Sequence, residues 1–233
     1  MTPPVLRIGH RGAKGYEPEN TLLSFQKALA LKVDMIEFDV FSCRSGEVVV
    51  IHNNELQPTT DGTGYVTRKT LEQLKILDAG KGQTIPTLTE VLDLIDRQAK
   101  VNIEIKRANS SNGVIHTINR YVNEQGWAYN DFIVSSFNRK ILTTIRKASP
   151  HIPLGVLARR RSYTLFSFAR KIQAKTLHLH HPLVRKDLLT KAHALGFNVF
   201  AWTVNTPAKI EYLIKIGVDG LFSDFPDRIP SQS

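Results

Sequence analysis

Short β-rich apolar runs, separated by stretches of helical period, recur from one end of this sequence to the other, and that alternation limits the folds open to it. The runs are LRIGH at 6–10, MIEFDV at 35–40, VVVIH at 48–52, VNIEI at 101–105, FIVSS at 132–136, PLGVL at 153–157, TLHLH at 176–180, NVFAW at 198–202 and GLFSD at 220–224. Between most of them, at 21–31, 88–95, 114–122, 141–148 and 208–216, apolar residues return at helical spacing. Strand, helix, strand repeated along a chain predicts a parallel sheet covered by helices. The length of 233 residues is close to the ~250 typical of a (β/α)8 barrel. The expected class is therefore α/β, a TIM-type barrel.

Nine strand candidates must fill eight barrel places. Only CRSGE separates the second from the third, too short for the helical crossover that parallel neighbours need, so this pair is expected as an antiparallel β-hairpin above the barrel rim. A turn centred on Ser45 and Gly46 makes residues whose numbers sum to about 91 face each other, which sets His52 opposite Asp39. Residues 53–86 form the longest stretch without a strand pattern and carry Gly62, Gly64, Gly80, Gly82 and Pro86. They are expected as a small insertion at the catalytic face, a lid or active-site wall, with a plain solvent loop as the alternative. Residues 1–233 read as a single catalytic barrel domain, without a second core, a linker or a repeat beyond the βα unit.

Composition narrows the partners. An excess of 31 Lys and Arg over 21 Asp and Glu leaves a formal charge of +10, which favours anionic partners without choosing among phosphates, nucleic acids and acidic surfaces. The basic residues are spread along the chain and no nucleic-acid motif accompanies them, so no nucleic-acid partner is expected. Cys43 is the sole cysteine, which excludes a disulfide scaffold and suits a reducing compartment. No apolar stretch approaches the roughly 18 residues needed to cross a bilayer, and MTPPVLRIGH lacks a signal-peptide pattern. The expectation is a cytoplasmic protein without stable membrane insertion; no oligomeric state is assigned.

In a strand, successive side chains alternate faces, so Glu37 and Asp39 share one face of MIEFDV while Ile36, Phe38 and Val40 share the other. The pattern repeats in VNIEIK, with Asn102, Glu104 and Lys106 opposite Ile103 and Ile105. Three inward carboxylates at strand ends repel one another unless something positive joins them. Two Glu and one Asp offer hard oxygen ligands suited to Mg²⁺, Ca²⁺ or Mn²⁺; ion pairs with Lys106 and Arg11 are the alternative. His10 and His52 close two of the runs, where barrel enzymes keep catalytic groups, and imidazole both gives and takes protons at neutral pH. Structural roles for either remain open at this level. Arg11 offers a planar fork for a phosphate or carboxylate.

HRGAKGYEPENTLLSF from His10 to Phe25, followed in order by IEFDV, VVVIHNNELQPTT, IEIK, VSSF, WTVN and SDFP, resembles the glycerophosphodiester phosphodiesterase family over residues 6–228. The resemblance implies a TIM-type barrel with a small insertion after the hairpin, and hydrolysis of glycerophosphodiesters to sn-glycerol 3-phosphate and an alcohol. It further implies His10 and His52 as the acid and base pair, Arg11 as a phosphate clamp and Lys106 as a phosphate contact. Glu37, Asp39 and Glu104 match the ligands of one divalent cation, Mg²⁺ or Ca²⁺, with Mn²⁺ as a further option. Asn20 matches a supporting position that orients a carboxylate or ligand, and Trp202 an aromatic wall for the glycerol or alcohol. Two positions depart from the family pattern: Asn53 follows His52 where Asp is usual, and Pro58 precedes Thr59 and Thr60 where Arg is common.

A phosphodiester resists attack because its own charge repels nucleophiles, so a metal and Arg11 are needed to offset charge on the nonbridging oxygens. The glycerol 2-hydroxyl already lies beside phosphorus, and attack through it implies a cyclic phosphate. Lysophospholipids, through a mouth formed by residues such as Trp202 and Phe137, and a Mg²⁺-dependent barrel lyase or isomerase are the alternatives. Arg159, Arg160 and Arg161 follow PLGVL and read either as a solvated charge run or as an attractor of anions. His178, His180 and His181 read as packing or substrate contacts, and Cys43 as incidental.

Overall fold

The computed structural model describes residues 5–230; Met1 to Pro4, at the start of the stretch considered above for a leader, and the last three residues lie outside them. The strands are β1 (Leu6–His10), β2 (Met35–Ser42), β3 (Val48–Val50), β4 (Lys100–Ile105), β5 (Phe132–Ser136), β6 (Leu154–Ala158), β7 (Thr176–His180), β8 (Asn198–Trp202) and β9 (Gly220–Ser223). The helices are α1 (Leu22–Ala30), α2 (Leu71–Lys75), α3 (Leu88–Ile95), α4 (Ser111–Glu124), α5 (Arg139–Ala148), α6 (Leu165–Lys171), α7 (Lys186–Ala194) and α8 (Pro207–Ile216). Strands pair in the order β1-β9-β8-β7-β6-β5-β4-β2, and β1 also pairs with β2, so eight parallel strands close a barrel. β3 adds to β2 antiparallel.

The two faces of each strand explain the closure. Ile36, Phe38 and Val40 of β2 join Ile103, Ile105 and Val134 in the core between strands and helices. Inside the barrel, Ile8, Met35, Ile133, Phe200 and Phe222 form a separate apolar plug. Gly155 and Gly220 belong to its architecture. A Cβ at Gly155 would lie 2.7 Å from the His178 ring, and one at Gly220 2.8 Å from Phe200, so only a bare backbone admits those rings. Two residues further along each strand the inward positions turn polar: Ile8 gives way to His10, Met35 to Glu37 and Phe222 to Asp224. Helix starts are fixed locally, Thr21 accepting from the Ser24 N–H at α1 and Thr87 forming a capping box with Glu90 at α3.

The hairpin forms as expected but one residue out of the expected register. Its loop has three residues, Arg44, Ser45 and Gly46, closed by Cys43 N to Glu47 O (2.9 Å), with Gly46 in the left-handed region at φ 106. An odd loop centres on a residue rather than a peptide bond, so Val40 pairs with Val50 and Ser42 with Val48. Ile51, whose N–H donates to Asp39 O at 2.9 Å, therefore stands opposite Asp39, and His52 lies one residue further on, beyond the strand.

The insertion has an apolar cluster of its own, in contrast to the sequence reading. Phe41, Val49 and Ile51 from the hairpin pack on Leu56, Val66, Leu74 and Ile85. These residues are spaced without period in the sequence, which hides the cluster. α2 and a 3₁₀ turn at Val66–Arg68 supply two of them. The chain rejoins the barrel where Pro86 O accepts from Val50 N at 2.8 Å, so the insertion starts and ends on β3.

Candidate active site

Strand register assembles the site. β1 pairs with β2 so that His10 lies beside Glu37, and β2 with β4 so that Glu37 lies beside Asn102 and Asp39 beside Glu104. Two rows of inward polar side chains thus stack at the C-terminal ends of adjacent strands. Carboxylate oxygens of Glu37, Asp39 and Glu104 lie within 4.8 Å of one another, and the three residues are only 4%, 1% and 8% exposed.

Cations hold part of this charge. Lys106 Nζ lies 2.8 Å from Asp39 Oδ1 and 2.5 Å from Glu104 Oε1. Arg11 donates from its guanidinium to Glu19 (2.8 Å), lies 3.4 Å from Asp39 through Nε, and donates its backbone N–H to Glu37 Oε2 at 2.9 Å. Arg11 makes that last contact at φ 52, a left-handed conformation that costs a side-chain-bearing residue about 1–2 kcal/mol. Asn20, also left-handed at φ 58, donates its backbone N–H to Arg11 O and its amide Nδ2 to Asp39 Oδ2 at 3.1 Å. Asn20 thus links the Arg11 backbone to a carboxylate of the cluster.

The proton affinities split accordingly. Burial works against ionisation of Asp39, but Lys106 and Arg11 hold its carboxyl well below the usual range. Burial, then the neighbouring charges of Asp39 and Glu104, push Glu37 up. Burial and Asp39 raise Glu104 to about 7 despite Lys106. Glu37 has no side-chain cation at ion-pair distance among the described residues, and the Oδ1 of Asn102 beside it is buried without a hydrogen-bond partner. Hard oxygen donors, excess negative charge and an unpartnered carbonyl together fit a divalent cation.

His10 donates from Nδ1 to Asp224 Oδ1 at 2.6 Å, and Asn205 donates to the other Asp224 oxygen at 2.7 Å. Burial lowers the His10 pKa, and Asp224 partly offsets that. His52 is lowered to about 4 by burial, with Lys106 and Arg11 adding to it against Asp39. Both imidazoles, Arg11, Glu37, Glu104, Lys106 and Trp202 line one cleft of about 220 Å³.

A sequence model of the glycerophosphoryl diester phosphodiesterase family matches residues 10–228. The chain belongs to that family. It is 36% identical over 237 residues to a glycerophosphodiester phosphodiesterase of Caldanaerobacter subterraneus, covering 96% of each chain, and 35% identical over 233 residues to one of Bacillus altitudinis, covering 95% of each. Among solved structures it resembles an Oleispira antarctica phosphodiesterase in complex with the product sn-glycerol-3-phosphate, with a TM-score of 0.88, 29% identity, and coverage of 98% of this chain and 95% of that one.

For this member of the family, sequence reasoning missed Asp224, Asn205 and Glu19; it placed Asn102 inward without a role and left Arg159 open between a solvated charge and an attractor of anions. Asp224 and Asn205 lie in SDFP and WTVN, motifs read above without a role for either residue. Asp224 is legible as the inward residue two places after Phe222. Arg159 lines the cleft, whereas Arg160 and Arg161 do not. His178 is packing, stacked 5.2 Å from Phe200, and His180 lies 5.1 Å from Trp202. No helix among the described residues is long and apolar enough to cross a membrane.

Proposed function

We propose that this chain hydrolyses glycerophosphodiesters to sn-glycerol 3-phosphate and an alcohol, within one barrel domain. The observation that carries the reading is the convergence of two histidines, Arg11, Glu37 and Glu104 on one cleft, with Asp39 buried in the same carboxylate cluster. Glu37, Asp39 and Glu104 would hold a divalent cation, Mg²⁺ or Ca²⁺ first and Mn²⁺ next, which when bound offsets charge on the phosphate oxygens. Arg11 and Lys106, already placed at the carboxylates, contribute positive charge to the same oxygens.

His52 accepts no hydrogen bond from, and donates none to, a carboxylate among the described residues, leaving it free to take the proton of the glycerol 2-hydroxyl. The hydroxyl oxygen bonds to phosphorus, the bond to the departing alkoxide breaks, and His10 gives that alkoxide a proton. Asp224 behind Nδ1 stabilises the His10 imidazolium needed for this step. Water then attacks the cyclic phosphate, His10 takes its proton, and His52 returns one to the 2-oxygen. The lyase reading is less well supported, since Lys106 is engaged by Asp39 and Glu104 rather than free as an amine base. Phe137, 43% exposed at the mouth, favours a second reading with lysophospholipids.

The test is coupled release of glycerol 3-phosphate from glycerophosphoglycerol, with release of glycerol and lysophosphatidic acid from lysophosphatidylglycerol measured in parallel, under EDTA and after Mg²⁺ or Ca²⁺ is restored. Release should depend on the metal and fall by about 10²–10⁴ in His10→Ala and in His52→Ala with the fold intact. Full turnover in either variant would refute the mechanism.

A further inference from the structure

The cleft has two unlike sides. His10, Glu37, Glu104 and Lys106 come from β1, β2 and β4 or the residues just after them, whereas Phe137, Arg159 and Trp202 follow or end β5, β6 and β8 across the barrel. On the first side the cations are matched: Arg11 by Glu19 and Asp39, Lys106 by Asp39 and Glu104. On the second side, among the described residues, no carboxylate lies within ion-pair distance of Arg159. Its guanidinium instead lies 5.5 Å from the centre of the Trp202 ring and 5.9 Å from that of Phe137.

Those rings support each other. They meet edge to face at 5.6 Å, and the Trp202 indole N–H donates to His178 O at 3.0 Å. Aromatic faces of this kind attract a quaternary ammonium when they are open. Here a guanidinium already occupies them, so an incoming cation meets a like charge, while an anion meets an uncompensated positive one. The phosphate belongs with the charged side, so the group beyond it reaches the aromatic side.

Resting on the phosphodiesterase reading above, we propose that Arg159 selects the leaving alcohol by charge, favouring alcohols that carry an anionic group and disfavouring those with an ammonium. The Phe137 and Trp202 rings hold the guanidinium in place as it does so. Arg159 is exposed at the rim, and its replacement leaves the barrel core untouched.

Three substrates that share the glycerol phosphate separate the terms: glycerophosphocholine, glycerophosphoglycerol and bis(glycerophosphoryl)glycerol, whose leaving alcohol bears cationic, neutral and anionic charge respectively. The wild-type kcat/KM should rise in that order, by about tenfold from first to last at low salt, with the spread shrinking at high salt. Arg159→Gln should flatten the series, Arg159→Lys should keep most of it, and Arg159→Glu should reverse it. Turnover of the three with ratios unmoved by Arg159→Glu overturns the charge selection and leaves the phosphodiesterase reading standing. Turnover of none by the folded, metal-supplied enzyme overturns both.

Discussion

The inside of the barrel holds two regions built by the same strands to opposite rules. At mid-height, Ile8, Met35, Ile133, Phe200 and Phe222 close a buried apolar plug with His178 packed among them. At the C-terminal rim, the inward residues that follow bring His10, Glu37, Glu104 and Lys106 to the cleft, with Asp39 and Asp224 behind them and Arg11 in a strained backbone conformation. Below, the apolar side chains fill space, with His178 as the one polar ring packed among them. Above, carboxylates crowd one another and a carbonyl is left without a partner, which helps stability little and suits a site awaiting charged ligands. A two-residue step along each strand is enough to pass from one regime to the other.

The sharpest way to test that division is to damage the plug. Phe200 is 2% exposed and meets both His178 and Phe222. Phe200→Ala should cost about 3–5 kcal/mol of unfolding free energy in denaturant titrations, because it removes buried surface and leaves a cavity. The fraction that remains folded should keep most of its kcat. A small stability loss with a collapsed kcat would mean that the plug and the rim are one unit.

The division also explains what the sequence disclosed. Period-two alternation in MIEFDV and VNIEIK is a direct image of the pleat, so Glu37, Asp39 and Glu104 could be placed inward from the residue order alone. Strand β2 to β4 pairing then brings them together, which no local pattern encodes. Helices α6 and α7 were harder to see, since α7 buries only Leu189 and Ala192 and α6 only Leu165 and Ala169. The hairpin register failed by one residue because the loop length depends on Gly46 adopting a positive φ, and Ser45–Gly46 alone permits more than one turn. Asp224 and Asn205 lie more than 190 residues from His10 in the chain, so their support of its imidazole exists only once the barrel closes β9 on β1.

That closure supplies a second, smaller test, now of the rim. Asp224→Asn keeps the shape but loses the charge that favours the His10 imidazolium. We expect kcat to fall by about 10², as for a displaced catalytic group, with KM and thermal stability little changed. Equal losses in kcat and stability would move Asp224 from the chemistry into the scaffold.

The smallest effect belongs to the one titratable ring in the plug. His178 is fully buried, with Nε2 2.8 Å from the Thr176 hydroxyl and Nδ1 without a partner. Burial lowers its pKa from 6.5 to about 3, so the folded protein keeps it neutral where the unfolded chain would protonate it. Between those values the unfolded state binds more protons, and stability must rise with pH. Acidification from pH 6.5 to pH 5 should thus remove about 1.5 kcal/mol through this residue. His178→Phe, which keeps an aromatic ring between Phe200 and Phe222 without a titrating nitrogen, should reduce the slope of unfolding free energy against pH over that interval. If the slope is the same in both proteins, the plug is not dry at His178, and the contrast between the two regions of the barrel is weaker than its side chains suggest.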